Sequence, residues 1–134
     1  MTFPARHLVR FAHVDGAGIV FYPRYFELLN AVVEDYFAQK VGVDFATMHR
    51  DRRLGVPTVR LEVDFAAPSR LGDSLDFELT VTRVGRSSLD LAFRIFGGQE
   101  LRVGGRLVIV CMDLDRARPV AWPDDMRPAG AAEA

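Results

Sequence analysis

The 134-residue chain has a single cysteine, Cys111, so it can form no internal disulfide and no cysteine-built zinc site. A lone thiol fits a reducing compartment, and the cytoplasm is the expected location. No stretch approaches the roughly 18 apolar residues of a membrane-spanning helix. No long apolar run follows Met1–Arg6, so no signal peptide is read. Charge of one dominant sign is also lacking. Lys plus Arg number 17 and Asp plus Glu 18, for a net charge of −1. That balance leaves no broad basic field for nucleic acid. Several catalytic signatures are missing: no phosphate loop ending in Gly-Lys-Ser or Gly-Lys-Thr, no G-x-S-x-G elbow and no H-E-x-x-H pair. Gly16-Ala17-Gly18 lacks the third glycine of a dinucleotide fingerprint. His7, His13 and His49 share no ligand spacing, so no metal site is expected. Cys111, set among Ile109, Val110 and Met112, reads as a buried and inert thiol.

What is present suits one globular domain. Hydrophobic residues make up 49% and charged residues 26%, which excludes disorder over the whole chain. The domain is expected to span residues 1–122. The Pro-, Ala- and Gly-rich tail, 123–134, is expected to fray.

Periodicity supplies the elements. His7–Phe11 reads as a short strand, followed by a loop at Asp15-Gly16-Ala17-Gly18. Tyr22, Tyr25, Phe26, Leu29, Val32, Val33, Tyr36, Phe37 and Val41 recur at steps of three and four, the stripe of a long helix. Pro23 suits its first turn and Gly42 its end. Residues 44–53 carry a weaker helical pattern. From Val56 the period becomes two. Val59, Leu61, Val63 and Phe65 alternate with polar residues, as do Leu75, Phe77, Leu79 and Val81, and then Leu89, Leu91, Phe93 and Ile95. Gly97-Gly98 reads as a hairpin turn. A last strand runs from Leu101 to Met112, with Gly104-Gly105 marking a bulge or a close backbone approach. The predicted class is α+β: a long central helix wrapped by a five-stranded antiparallel sheet. The last strand is apolar on both faces, so it is expected to be covered twice and to meet a second subunit.

Chemistry concentrates at Asp15-Gly16-Ala17-Gly18-Ile19-Val20-Phe21-Tyr22-Pro23. An acid precedes a small-residue loop that feeds directly into the long helix. The first N–H groups of a helix lack internal acceptors and carry partial positive charge, so they can hold a carbonyl oxygen as negative charge develops on it. A nearby carboxylate can attack that carbonyl or draw a proton from water. On the residues alone the favoured reading of Asp15 is an ordinary Asp-Gly turn residue bonded to its own loop.

Residues 13–26, His-Val-Asp-Gly-Ala-Gly-Ile-Val-Phe-Tyr-Pro-Arg-Tyr-Phe, resemble the hallmark segment of the 4-hydroxybenzoyl-CoA thioesterase family. Val56-Pro57-Thr58, Arg70-Leu71-Gly72-Asp73 and Arg86-Ser87-Ser88-Leu89 are similar in kind and order. The resemblance implies the hotdog fold and an acyl-CoA thioesterase, with an aromatic acyl group such as a hydroxybenzoyl. It implies Asp15 as nucleophile or general base and the backbone N–H of Tyr22 as the carbonyl-polarising donor. It implies Gly18, Phe21 and Tyr25 at the substrate, and Arg86, Ser87 and Ser88 along the pantetheine arm or phosphates of coenzyme A. No cofactor is implied, since coenzyme A is part of the substrate. A homodimer or homotetramer is expected, with no membrane or nucleic-acid partner. Two departures stand out: Gly16 replaces a common proline, and His13 replaces a common acid. Glu34 on the polar helix face is a second candidate carboxylate. A hotdog dehydratase or hydratase and a non-catalytic acyl-CoA-binding protein are the rival readings.

Overall fold

A computed structural model describes residues 2–130 of the chain. Its strands are β1 (Thr2–Leu8), β2 (Leu54–Gly55), β3 (Thr58–Phe65), β4 (Ser74–Val84), β5 (Ser88–Gly97), β6 (Glu100–Val110), β7 (Met112–Asp113) and β8 (Arg118–Pro119). One long helix, α1 (Pro23–Tyr36), continues into a wider turn at Phe37–Val41 and stops at Gly42. The main sheet is fully antiparallel, in the order β1-β4-β5-β6-β3, and β2, β7 and β8 form a small second sheet. The fold is the hotdog fold that the sequence predicts: a helix lying against a curved five-stranded sheet.

The helix stripe buries Tyr25, Leu28, Leu29, Val32, Val33 and Tyr36. It meets the inward positions of the central strands, where Leu75, Phe77, Leu79, Leu89, Leu91, Phe93, Ile95, Val103, Leu107 and Ile109 are all at most 2% exposed. The outward face carries ion pairs across neighbouring strands, Arg6–Asp76, Arg94–Glu78 and Arg106–Glu62. Period-two alternation therefore sorts the two faces as expected.

Three expectations need correction. The first strand lies at Thr2–Leu8 and not at His7–Phe11. Pro4 is tolerated because β1 is an edge strand, and Phe11 stands 82% exposed in a single 3₁₀ turn. The last strand ends short of Met112: β6 lies between β5 and β3 and breaks at Cys111, and Met112 joins the small sheet. The strand left uncovered is β3. Its helix-side residues Val59, Leu61 and Phe65 are 58%, 41% and 51% exposed. Finally, residues 123–130 pack instead of fraying. Met126 is fully buried, Pro128 is buried and Gly130 lies against Val81 and Val84. Residues 131–134 lie outside the described residues.

Gly104-Gly105 resolves as a close approach. Gly105 sits between Val63 and Phe93 in register, and a side chain there would strike the Glu62 carbonyl. The hairpin expected at Gly97-Gly98 is present one residue on: Gly97 pairs with Glu100, and Gly98-Gln99 makes the turn, with Gly98 at φ +61°.

Candidate active site

The Asp15 loop is a closed turn stitched by its own backbone. Asp15 N–H donates to Ile19 O at 3.0 Å, Gly18 N–H donates to Asp15 O at 3.0 Å, and Val14 bridges Val20. Gly18 adopts φ +76°, a conformation that β-carbon sterics disfavour, which explains a glycine there. The Asp15 side chain is exposed, and its Oδ1 accepts the Ala17 N–H at 2.9 Å. The turn reading of Asp15 is thus literally present in this geometry, and it leaves the second carboxylate oxygen available to a ligand.

From this turn the chain runs straight to the helix. Phe21 N–H donates to His13 O at 3.0 Å, and Tyr22 is the N-cap of α1 with Pro23 as its first residue. Arg24 and Tyr25 N–H groups bond back to Phe21 O and Tyr22 O. Pro23 has no N–H, so Tyr22 N–H is the last main-chain donor ahead of those bonds. Among the described residues it has no backbone acceptor. The helix start therefore offers a main-chain donor seven residues after Asp15.

Beside it opens an apolar cleft of about 340 Å³, lined by Ile19, Val20, Tyr22, Tyr25, Phe65, Ala66, Ala67 and Pro68. Phe65 is its hub, with ring centroids 6.0 Å from Tyr22, 6.1 Å from Tyr25 and 6.4 Å from Phe26. Phe21 packs edge-on against Tyr22 at 5.7 Å. Tyr25 belongs to both core and cleft, being 4% exposed, whereas Phe21 and Tyr22 are about half exposed at 48% and 58%.

Asp15, Gly18, Phe21, Tyr22 and Tyr25 are thus gathered at one end of the molecule. Arg86, Ser87 and Ser88 are not with them. They form the β4–β5 turn at the opposite end of the sheet, a strand's length away: ten residues of β5, about 30 Å. There Ser87 O accepts Cys111 N–H and Ser88 O accepts the indole N–H of Trp122. Glu34 is exposed on the outer face of α1, eleven residues after Pro23, or about 16 Å along the axis from the helix start. His13 Nδ1 accepts the Arg10 N–H at 2.9 Å, His7 lies edge-on to Phe77 and His49 Nδ1 lies 2.9 Å from Phe45 O, so the three histidines serve separate local roles. Cys111 is fully buried, and burial pushes its thiol pKa up.

Sequence reasoning missed Phe65 and Ser69. Phe65 is the last apolar position of an alternating strand, directly ahead of Ala66-Ala67-Pro68, and that junction is the available signal. Ser69 is fully buried and among the described residues its hydroxyl has no partner, while its carbonyl accepts Val20 N–H at 2.9 Å. Nothing local in the sequence marks it.

A helix tip, an acid-bearing turn and an apolar cleft are together chemically suited to polarising and attacking an activated acyl group. The profile of the thioesterase-like superfamily matches residues 9–130, and the chain belongs to that superfamily. Among its relatives is a 1,4-dihydroxy-2-naphthoyl-CoA hydrolase of Synechococcus elongatus, 24% identical over 91% of this chain and 90% of the relative. The acyl-CoA thioesterase YbgC of Haemophilus influenzae is 23% identical over 96% and 92%. The solved structure of Slr0204, a 1,4-dihydroxy-2-naphthoyl-CoA thioesterase from Synechocystis, superposes with a TM-score of 0.84 at 22% identity, covering 93% of this chain and 92% of that one.

Proposed function

We propose that the chain hydrolyses the thioester of an acyl-CoA with an aromatic acyl group, giving the free acid and coenzyme A. The observation that carries this reading is the Asp15 turn delivered to the helix start, where Tyr22 N–H lacks a backbone acceptor beside an aromatic-lined cleft. In this reading the thioester carbonyl oxygen accepts the Tyr22 N–H, which stabilises the negative charge that forms there. The Asp15 carboxylate acts in one of two ways. It attacks the carbonyl carbon, expelling the thiolate of coenzyme A and leaving a mixed anhydride that water then opens. Alternatively, it takes a proton from the water that attacks. Either role needs the ionised carboxylate. Rings of Tyr22, Tyr25 and Phe65 favour a flat acyl group by edge and face contacts. The two relatives that act on a naphthoyl-CoA fit that preference.

The reading also calls for a second copy of the chain. The helix-side apolar residues of β3 lie open at a sheet edge, and an edge strand is a template for pairing. The start of β3 neighbours the Ser88 end of β5 through β6, since Ser88 pairs with Val110 and Thr58 with Ile109. Its end, Phe65, lines the cleft. Antiparallel pairing of β3 with its copy about a two-fold axis brings one protomer's Arg86–Ser88 turn toward the other's cleft, in reach of a long coenzyme A arm. A cytoplasmic location suits an acyl-CoA substrate and an unpaired thiol.

The testing experiment offers purified protein a panel of aromatic and aliphatic acyl-CoA esters and follows free thiol release, with wild type and Asp15→Asn side by side. Release of aromatic acids that Asp15→Asn loses is the expected result. No release from any ester favours the binding-protein alternative, and equal release by both proteins moves the chemistry away from Asp15.

A further inference from the structure

The segment Arg70-Leu71-Gly72-Asp73 has no part in the chemistry so far, yet it is the most heavily bonded loop near the site. Residues 66–73 join β3 to β4, and the first three of them, Ala66, Ala67 and Pro68, line the cleft. The loop is held by a single residue of β6. Arg102 O accepts the N–H groups of Ala66 at 2.8 Å and Ala67 at 3.1 Å, which fixes the loop's entry. The Arg102 guanidinium then folds over the loop. Its Nη1 donates to Pro68 O at 3.2 Å and to Asp73 Oδ2 at 2.8 Å, and Glu100 Oε1 lies 2.7 Å from its Nε. Only 14% of the Arg102 side chain is exposed. Asp73 Oδ2 also accepts the Arg70 N–H at 2.8 Å, and Asp73 N–H returns to Arg70 O at 3.0 Å. A planar fork in a mostly dry setting makes this a directional latch and not a loose surface pair. Gly97 belongs to it as well, because a Cβ there would collide with the guanidinium.

The latched loop in turn carries the Asp15 turn. Ser69 O accepts Val20 N–H at 2.9 Å, Leu71 N–H donates to Gly18 O at 3.1 Å, and Arg70 bridges Ile19. Gly72 N–H donates to Val9 O at 3.0 Å, and Val9 N–H donates to Asp73 O at 2.8 Å, so the strand that leads into the turn is tied down too. Every long-range backbone bond of Gly18–Val20 ends on residues 69–71.

We propose that Arg102, acting through Asp73 and the 66–73 loop, is a positioning residue for hydrolysis: it fixes the Gly18–Val20 backbone and so aims Asp15 at the ester carbonyl. The proposal rests on Asp15 being the reacting carboxylate. Steady-state kinetics on benzoyl-CoA, or on the best ester of the panel, test it. Arg102→Met is expected to lower kcat about tenfold to a hundredfold with KM moved less than about threefold, because a misaimed group costs rate more than binding. Arg102→Lys restores the charge facing Asp73 without the fork and is expected to recover part of the loss. In an Asp15→Asn background, Arg102→Met is expected to cost nothing further, the mark of two residues acting through one group. Should Arg102→Met fail to fold, Asp73→Asn, nearly isosteric, replaces it with the same expectations. Wild-type kcat with only a lowered Tm assigns the latch to stability alone and overturns the proposal. So does an equal fractional loss in both backgrounds. Full activity of Asp15→Asn by itself overturns the reading beneath it, and that outcome is separate from any result with Arg102.

Discussion

At its C-terminal end α1 runs into a plug of apolar side chains. Phe37, fully buried, stacks on Trp122 at 6.1 Å and meets Tyr36 at 5.4 Å, and Met48 and Met126 are also fully buried. At its N-terminal end rings of the same kinds are half exposed, around an open cleft and a turn held by backbone bonds. The contrast lies in what covers the rings. Residues 122–130 fold back over the first end, whereas Phe21, Tyr22 and Phe65 are left about half exposed by the described residues. Aromatics at the closed end contribute to stability. Those at the open end leave apolar area for a ligand and a second copy to bury.

The largest expected effect breaks the open end without touching the closed one. Asp15→Asn removes the charge and keeps the shape of an exposed side chain whose bond to the Ala17 N–H an amide oxygen can still accept. Hydrolysis is expected to fall about a thousandfold or more, about 4 kcal/mol of barrier, with Tm unchanged in a thermal melt. A lowered Tm with retained turnover would make Asp15 a turn residue only. The mirror experiment is Phe37→Ala. Truncating a fully buried ring is expected to cost about 3–5 kcal/mol of unfolding free energy, measured by urea titration. The folded fraction should keep its kcat, because the plug lies a helix length from the cleft.

That contrast also marks what could be read from the chain. The helix stripe, the alternation of β4 and β5, the Gly97-Gly98 hairpin and the Asp15 turn were all legible, because each is written in residues within a few positions of one another. Periodicity assigned Val59, Leu61 and Phe65 to the helix-side face correctly, but it carries no information on whether anything covers that face. That depends on strand order, which puts β3 at the edge. Arg102 and Asp73 are 29 residues apart and meet only in the folded sheet, so no local pattern announces them. The packing of residues 123–130 was hidden by a composition that reads as a tail, although Trp122 and Met126 supply its anchors.

A smaller effect is expected where the open end meets its copy. Leu61, 41% exposed in the middle of β3, is placed to be covered on pairing. Leu61→Arg puts a charge into an apolar contact, which is unfavourable without a partner. Sedimentation is expected to report a dimer or tetramer for wild type and a monomer for the variant, with hydrolysis lowered about tenfold or more as the partner's Arg86–Ser88 turn is lost. A variant that assembles like wild type would move the contact away from β3.

The smallest effect sharpens the comparison through pH. The Arg102 guanidinium first, and then the Arg70 N–H, hold the Asp73 carboxyl below the usual carboxylate range. A carboxyl whose pKa is lower in the folded state binds protons more readily when unfolded. Its contribution is therefore present above the unfolded value, about 3.9, and is lost as pH falls through that value toward the lower folded one. Asp73→Asn deletes this contribution. Urea unfolding at pH 7, 5, 4 and 3 is expected to find the variant less stable than wild type at pH 7 and 5, with the gap narrowing at pH 4 and smallest at pH 3. A gap that stays constant across that range would mean that the Asp73 charge adds nothing beyond its hydrogen-bonding shape. Phe37→Ala supplies the control from the closed end, where the lost group does not titrate and the deficit is expected to stay the same at every pH.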